Sequence, residues 1–193
     1  EAIMREAREA AGDDMAIMVD LHGRTSAAMA IQYARVLEPY QPLFIEEVVG
    51  PEMPASEMAR VARSTTIPVA AGERLFHRRE FLELLNAGAI SIAQPDVCHA
   101  GGITETMRIG ALCGTFGVPL APHNPLGPIA TMVNIHIGLA APNFMIQEVM
   151  RNDVPWRDDV VRGVAPIVDG YVDPPTAPGI GVDINLDEAN KHP

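Results

Sequence analysis

Six apolar runs in this 193-residue chain each stop at an ionisable side chain, and the stops are almost evenly spaced. Met15–Val19 runs into Asp20, Pro42–Ile45 into Glu46, and Ile67–Gly72 into Glu73. Ala89–Pro95 runs into Asp96, Val118–Pro122 into His123, and Phe144–Gln147 into Glu148. The successive intervals are 26, 27, 23, 27 and 25 residues. About 25 residues is the length of one strand, one helix and two short loops. A regular strand–helix alternation with chemistry at each strand's C-terminal end predicts a (β/α) barrel with its site on that face.

The intervening segments fit this frame. Residues 1–12 read as the end of a helix closed by Gly12, followed by a strand over 15–21. Helices are expected over 26–37, 54–62, 78–87, 103–116 and 129–139. Gly88 and Gly117 act as stops, and Pro54 sits at a first turn. The remaining strands are expected at 43–45, 66–70, 90–94, 118–121 and 144–147. Pro68 lies awkwardly for a strand, because proline cannot donate to the ladder. From 150 to 193 the alternation ends in Pro-, Gly- and Asp-rich sequence, which reads as an irregular segment without a repeating helix.

Six strands are two short of a closed eight-stranded barrel, and Glu1 lies within a helical pattern. The chain therefore reads as the C-terminal part of a longer protein: residues 1–149 form an incomplete barrel. Residues 150–193 are expected to pack on it and on an absent N-terminal capping domain. Such a piece should expose open sheet edges.

The net charge of −11, with no basic patch, excludes nucleic acid as partner. No apolar run reaches membrane-spanning length, so no membrane partner is expected. Cys98 and Cys113 make no disulfide framework and suit a reducing, cytoplasmic setting.

Asp20, Glu46 and Glu73 end three successive strands and should converge. Three close carboxylates repel one another unless a cation intervenes, and all-oxygen ligands favour Mg²⁺, or Mn²⁺, over Zn²⁺. Each could instead cap its strand or pair with Arg24, Arg74 or Arg78, but three in series favour metal. Glu46 has the inward phase after Phe44, which leaves Glu47 facing the helix layer or a loop. Asp96 beside His123 would fix the imidazole tautomer and raise its basicity, making a general base. His22, two residues after Asp20, would share its face and flank the metal opposite His123. Glu148 could share a proton with an oxygen at the metal. His77, His99 and His136 read as structural histidines held by hydrogen bonds.

These residues resemble the C-terminal two-thirds of the enolase superfamily barrel, and most closely its galactonate dehydratase group. The matching stretches are Val-Asp-Leu-His-Gly-Arg at 19–24, Leu-Phe-Ile-Glu-Glu at 43–47 and Ala-Gly-Glu-Arg-Leu at 71–75. They continue with Gln-Pro-Asp at 94–96, His-Ala-Gly-Gly-Ile-Thr-Glu at 99–105, Ala-Pro-His-Asn-Pro-Leu-Gly-Pro at 121–128 and Gln-Glu at 147–148. Pro-Gly-Ile-Gly-Val at 178–182 also fits. Before Glu73 the chain carries one residue more than the group's pattern, and Asn124 and the tail mix galactonate-type with mannonate-type features.

The resemblance implies a (β/α)₇β barrel with Asp20, Glu46 and Glu73 as Mg²⁺ ligands. It implies His123, oriented by Asp96, as the base at C2 of a sugar acid. His22 becomes the acid for the departing 3-hydroxyl and Glu148 the partner of the enediolate oxygen. The implied reaction converts an aldonate such as galactonate to a 2-keto-3-deoxy acid, in a protein expected to form a homo-oligomer. Two other functions stay open. A racemase or epimerase on the same scaffold would need a second base across C2, and the sole lysine, Lys191, lies in the tail. A non-catalytic barrel remnant could serve as a binding module.

Overall fold

The computed structural model describes residues 1–151 and 153–192. Its frame is a parallel sheet of β1 (Met18–Asp20), β2 (Phe44–Glu46), β3 (Val69–Ala71) and β4 (Ile92–Ala93), paired in sequence order. Single parallel bridges extend that order from Ala93 to Leu120 and from Leu120 to Phe144. Among the described residues β1 and the Phe144 segment each pair on one side only. Met18, Phe144 and Ile146 are partly exposed near those edges.

Strand alternation assigns the two faces. Ile45, Val69, Ala71 and Ala93 point outward and are buried among the helices, forming the main core. Those helices are α1 (Ala2–Ala11), α2 (Ala27–Leu37), α3 (Ala55–Ala62), α4 (Arg78–Ala87) and α5 (Gly102–Thr115). Leu120 packs outward beneath α6 (Pro128–Ala140) in a second cluster with Ala130 and Ile137. On the inner face Phe44, Ala70, Ile92 and Ala121 form a separate buried layer, one from each of four neighbouring strands. Two residues further along, Glu46 follows Phe44 and His123 follows Ala121, and the ionisable groups begin.

Local chemistry sets the helix ends. The Ser26 hydroxyl accepts the Met29 N–H at 3.3 Å at the start of α2. Gly88, at φ 61°, closes α4 in the left-handed conformation, and its N–H reaches the Leu85 carbonyl. The Glu80 carboxylate accepts the N–H groups of Phe76 and His77, both at 2.8 Å, at the start of α4.

The strands are shorter than the sequence predicts. Residues 15–17 lie outside β1, and the Met15 carbonyl accepts the Arg8 guanidinium at 2.6 Å. Thr65 and Thr66 are held by Glu38, whose Oε1 accepts the Thr65 hydroxyl at 2.8 Å and the Thr66 N–H at 2.9 Å. The ladder therefore starts only at Val69. The expected fifth and sixth strands are reduced to bridges, and Pro119 and Pro122 remove donors that a longer ladder needs. The tail is more regular than expected. β5 (Val161–Arg162) pairs antiparallel with β8 (Asp183–Ile184), and β6 (Ile167–Val168) with β7 (Tyr171–Val172). A short helix, α7 (Leu186–Ala189), follows. The tail touches the barrel-like part where the Arg157 guanidinium donates to the Leu126 carbonyl at 2.6 Å.

Gly72 has the tightest backbone position of the sheet. At φ 141° it follows β3, and a Cβ there would lie 2.7 Å from Phe81 Cε1 and 3.1 Å from the Gln94 carbonyl carbon. A Gly72→Ala substitution combines backbone strain with overpacking, and we expect a loss of about 2–3 kcal/mol in urea unfolding. Gly88→Ala has the strain but nothing within 4 Å of the new methyl, so its cost should be about 1 kcal/mol.

Candidate functional site

Asp20 and Glu46 are direct partners in the β1–β2 register, so neighbouring strands end side by side in carboxylates. Glu73 reaches the same level by another route. Ala70 faces inward, so strict alternation would turn Glu73 outward. The backbone turn at Gly72 breaks that alternation, and the Glu73 carboxylate meets the inner-face groups.

Glu73 is buried and sits between two imidazoles. His123 Nε2 lies 3.3 Å from its Oε2, and His22 Nε2 lies 3.9 Å from its Oε1. Arg74 Nε also approaches Oε1, at 3.1 Å. His22 gets there differently from the sequence expectation. β1 stops at Asp20, and His22 lies in the left-handed region at φ 53°, so strand alternation does not put the two side chains on one face. The Asp20 carboxylate caps the turn by accepting the His22 N–H at 2.6 Å.

Asp96 and His123 are joined by a parallel bridge and by their side chains: His123 Nδ1 lies 2.8 Å from Asp96 Oδ2. An ionised carboxylate only accepts, so Nδ1 carries the proton and Nε2 is left to face the site. Burial alone would raise the Asp96 carboxyl, but hydrogen bonds from His123 and from the Cys98 N–H hold it below the ordinary value. Burial alone would lower His123; the Asp96 hydrogen bond and the charges of Glu73 and Glu148 outweigh it and raise the imidazole.

Glu148 is tied to the loop after His123. Its Oε2 accepts the Asn124 N–H at 2.6 Å, and its carbonyl accepts the Asn124 amide at 3.0 Å. Asn124 also donates to the Thr131 hydroxyl of α6 at 2.8 Å.

Glu46 is pushed up to about 7, first by burial and then by the charges of Asp20, Glu73 and Glu148, against a hydrogen bond from Gln94. Glu47 is also raised to about 7, first by burial. It points away from the inner face, and its Oε1 accepts the Gly72 N–H at 3.2 Å. Half-buried Glu46 thus has three carboxylates around it, and the buried Gln94 Oε1 beside it has no partner. A surplus of hard oxygen acceptors suits a divalent cation such as Mg²⁺, so the donor set fits one in kind. The side chains are not closed into a cage: among the described residues no group of three His, Cys, Asp or Glu is placed to hold an ion.

Two features stand outside the sequence reading, Gln94 and the backbone bond of Arg74, whose pairing with Glu73 the sequence does offer as an alternative. Arg74 bridges turns 52 residues apart, a contact with no periodic signal, whereas Gln94 follows two residues after inward Ile92 and could have been read from alternation. The expectation for the other histidines needs correction. His99 is exposed, not buried, and its Nδ1 lies 3.0 Å from the Glu73 carbonyl, which places it at the rim of the site. His77 is exposed at the start of α4. His136 has a buried Nε2 with no partner, so no hydrogen bond holds that atom.

The chain matches the family model for the enolase C-terminal domain-like fold over residues 1–189. It is 46% identical over 190 residues to a D-galactonate dehydratase of Ralstonia nicotianae, covering 95% of this chain and 50% of that protein. A D-galactonate dehydratase of Klebsiella pneumoniae is 45% identical over 187 residues, covering 94% and 49%. A mandelate racemase/muconate lactonizing enzyme from Sulfitobacter superposes with a TM-score of 0.94 at 35% identity, covering all of this chain and 48% of that one. The enzyme-like protein of the same type from Rubrobacter xylanophilus gives 0.93 at 34%, covering 99% and 49%. The chain spans about half the length of the curated relatives it matches.

The dyad has a measurable signature. His123, raised in the folded state, contributes stability that is full below its unfolded value near 6.5 and is lost as pH rises through its folded value. Asp96, lowered, contributes above its unfolded value near 3.9, and that stability is lost as pH falls through its folded value. Asp96→Asn should therefore move the His123 titration downward, as read by imidazole NMR, and remove stability between about pH 4 and 6.5.

Proposed function

Because this chain belongs to the enolase C-terminal domain-like family, with its barrel-like α/β fold, we propose that its strand ends dehydrate a sugar acid. The substrate is an aldonate such as galactonate and the product a 2-keto-3-deoxy acid. In this reading the chain supplies the third to eighth strands of a (β/α)₇β barrel whose remaining strands and capping domain lie elsewhere in a longer protein. The half-length match to the relatives and the sheet edges at β1 and Phe144 support that placement.

One observation carries the reading: His123, fixed through Nδ1 by Asp96, and His22 approach the two oxygens of the same Glu73 carboxylate. Two imidazoles on either side of a carboxylate-lined point suit a reaction that removes a proton on one side and supplies one on the other. His123 Nε2 takes the C2 proton, and the C2–H electron pair moves into the carboxylate as an enediolate. His22 Nε2 then gives a proton to the 3-hydroxyl, the C3–O bond breaks and water leaves. The resulting enol tautomerises to the 2-keto product.

Asp20, Glu46 and Glu73 are the residues that would hold Mg²⁺, which when bound supplies positive charge beside the substrate carboxylate. Glu148, held by Asn124, shares a proton with an enediolate oxygen. Asp96 keeps His123 in one tautomer, and its own charge stabilises the imidazolium that the first step creates.

The test uses the full-length enzyme with Mg²⁺ and a panel of aldonic acids, scoring 2-keto-3-deoxy product. One acid should be dehydrated, and chelation should abolish the reaction. In ²H₂O a His22→Asn variant should still exchange the C2 proton while water loss falls by about 10²–10⁴-fold. Epimerisation without dehydration would replace this reading with the racemase one. No turnover and no exchange would leave a binding module.

A further inference from the structure

His22 is an exposed imidazole that, among the described residues, makes no side-chain hydrogen bond and approaches an acid only at 3.9 Å, from Glu73, so its aim comes from its backbone. That backbone is strained. His22 at φ 53° and Glu47 at φ 44° are both left-handed, at the ends of adjacent strands. They are linked where the Gly23 N–H donates to the Glu47 carbonyl at 2.7 Å. Non-glycine residues keep such conformations only where their surroundings hold them there.

Arg74 provides the hold. Its Nη2 donates to the His22 carbonyl at 3.1 Å, and its Nε donates to Glu73 Oε1 at 3.1 Å. Its Nη1 lies against Gly23 so closely that a Cβ there would come within 3.0 Å. Beneath it, the buried Glu47 carboxylate faces Nε at 3.9 Å while accepting the Gly72 N–H. One guanidinium thus spans the turns after β1 and β3 over a buried counter-charge. A lysine, with a single point of attachment, cannot span them.

We propose that Arg74 is a positioning residue that aims His22, and that Glu47 anchors its guanidinium. This rests on the reading of His22 as the proton donor. An alternative role, in which Arg74 only neutralises Glu73, makes a different prediction. It would alter the Mg²⁺ requirement and both half-reactions together, because Glu73 faces both imidazoles.

The experiment compares C2-proton exchange with water loss in ²H₂O for Arg74→Lys and Glu47→Gln in the full-length enzyme, at a series of Mg²⁺ concentrations. For Arg74→Lys, water loss should fall by about 10–100-fold, while exchange stays within about threefold and half-maximal Mg²⁺ is unchanged. Glu47→Gln should shift the same ratio in the same direction by a smaller factor. If exchange and water loss fall in parallel, or only the Mg²⁺ requirement moves, the assignment is overturned. Should Arg74→Lys fail to fold, an unchanged ratio in Glu47→Gln alone overturns it. The unsubstituted enzyme and His22→Asn serve as internal standards. If they do not dehydrate and uncouple as expected, the functional reading falls and takes this assignment with it; if they do, an unmoved ratio counts against Arg74 alone.

Discussion

Everything at the strand ends is arranged around the carboxylate of Glu73. It is buried, yet it meets His22, Arg74 and His123 from three directions. A buried carboxylate without a partner would cost several kcal/mol, so the Arg74 guanidinium that donates to it at 3.1 Å is a condition of its burial. Its presence there depends on Gly72, whose backbone turns the chain inward where alternation would send it out. A methyl group at one glycine would therefore disturb packing against Phe81 and the site together.

The sequence made the layout legible because a parallel strand–helix unit has a nearly fixed length. Asp20, Glu46, Asp96 and His123 follow inward-facing Met18, Phe44, Gln94 and Ala121 by two residues, which alternation alone predicts. Where it failed, the cause was backbone conformation or distance. His22 leaves the strand phase at φ 53°, and Glu73 recovers the inner face only through Gly72. Strand lengths were overestimated because Glu38 captures Thr65 and Thr66 before they can join the ladder. In the sequence Arg74 is legible only as a possible neighbour of an acid, since nothing in spacing reveals a bond to a carbonyl 52 residues away. The tail's four two-residue strands are too short to show any period.

The electrostatics divide the carboxylates by task. Asp96 stays ionised because an imidazole and a backbone N–H serve it, so it can hold a positive charge on His123. Glu46, with burial and three neighbouring carboxylates against it and only a Gln94 hydrogen bond in its favour, is pushed up to about 7. Two carboxylates of one sheet face are thus shifted in opposite directions, Glu46 upward first by burial and Asp96 downward by the hydrogen bonds it accepts.

The layer beneath these groups is uneven: the ring of Phe44 shares it with Ala70 and Ala121, whose side chains are single methyl groups. Close-packed interiors tolerate exchange of volume between neighbours far better than a net gain or loss. A larger side chain at Ala70 or Ala121 therefore fits only where Phe44 gives up a matching volume.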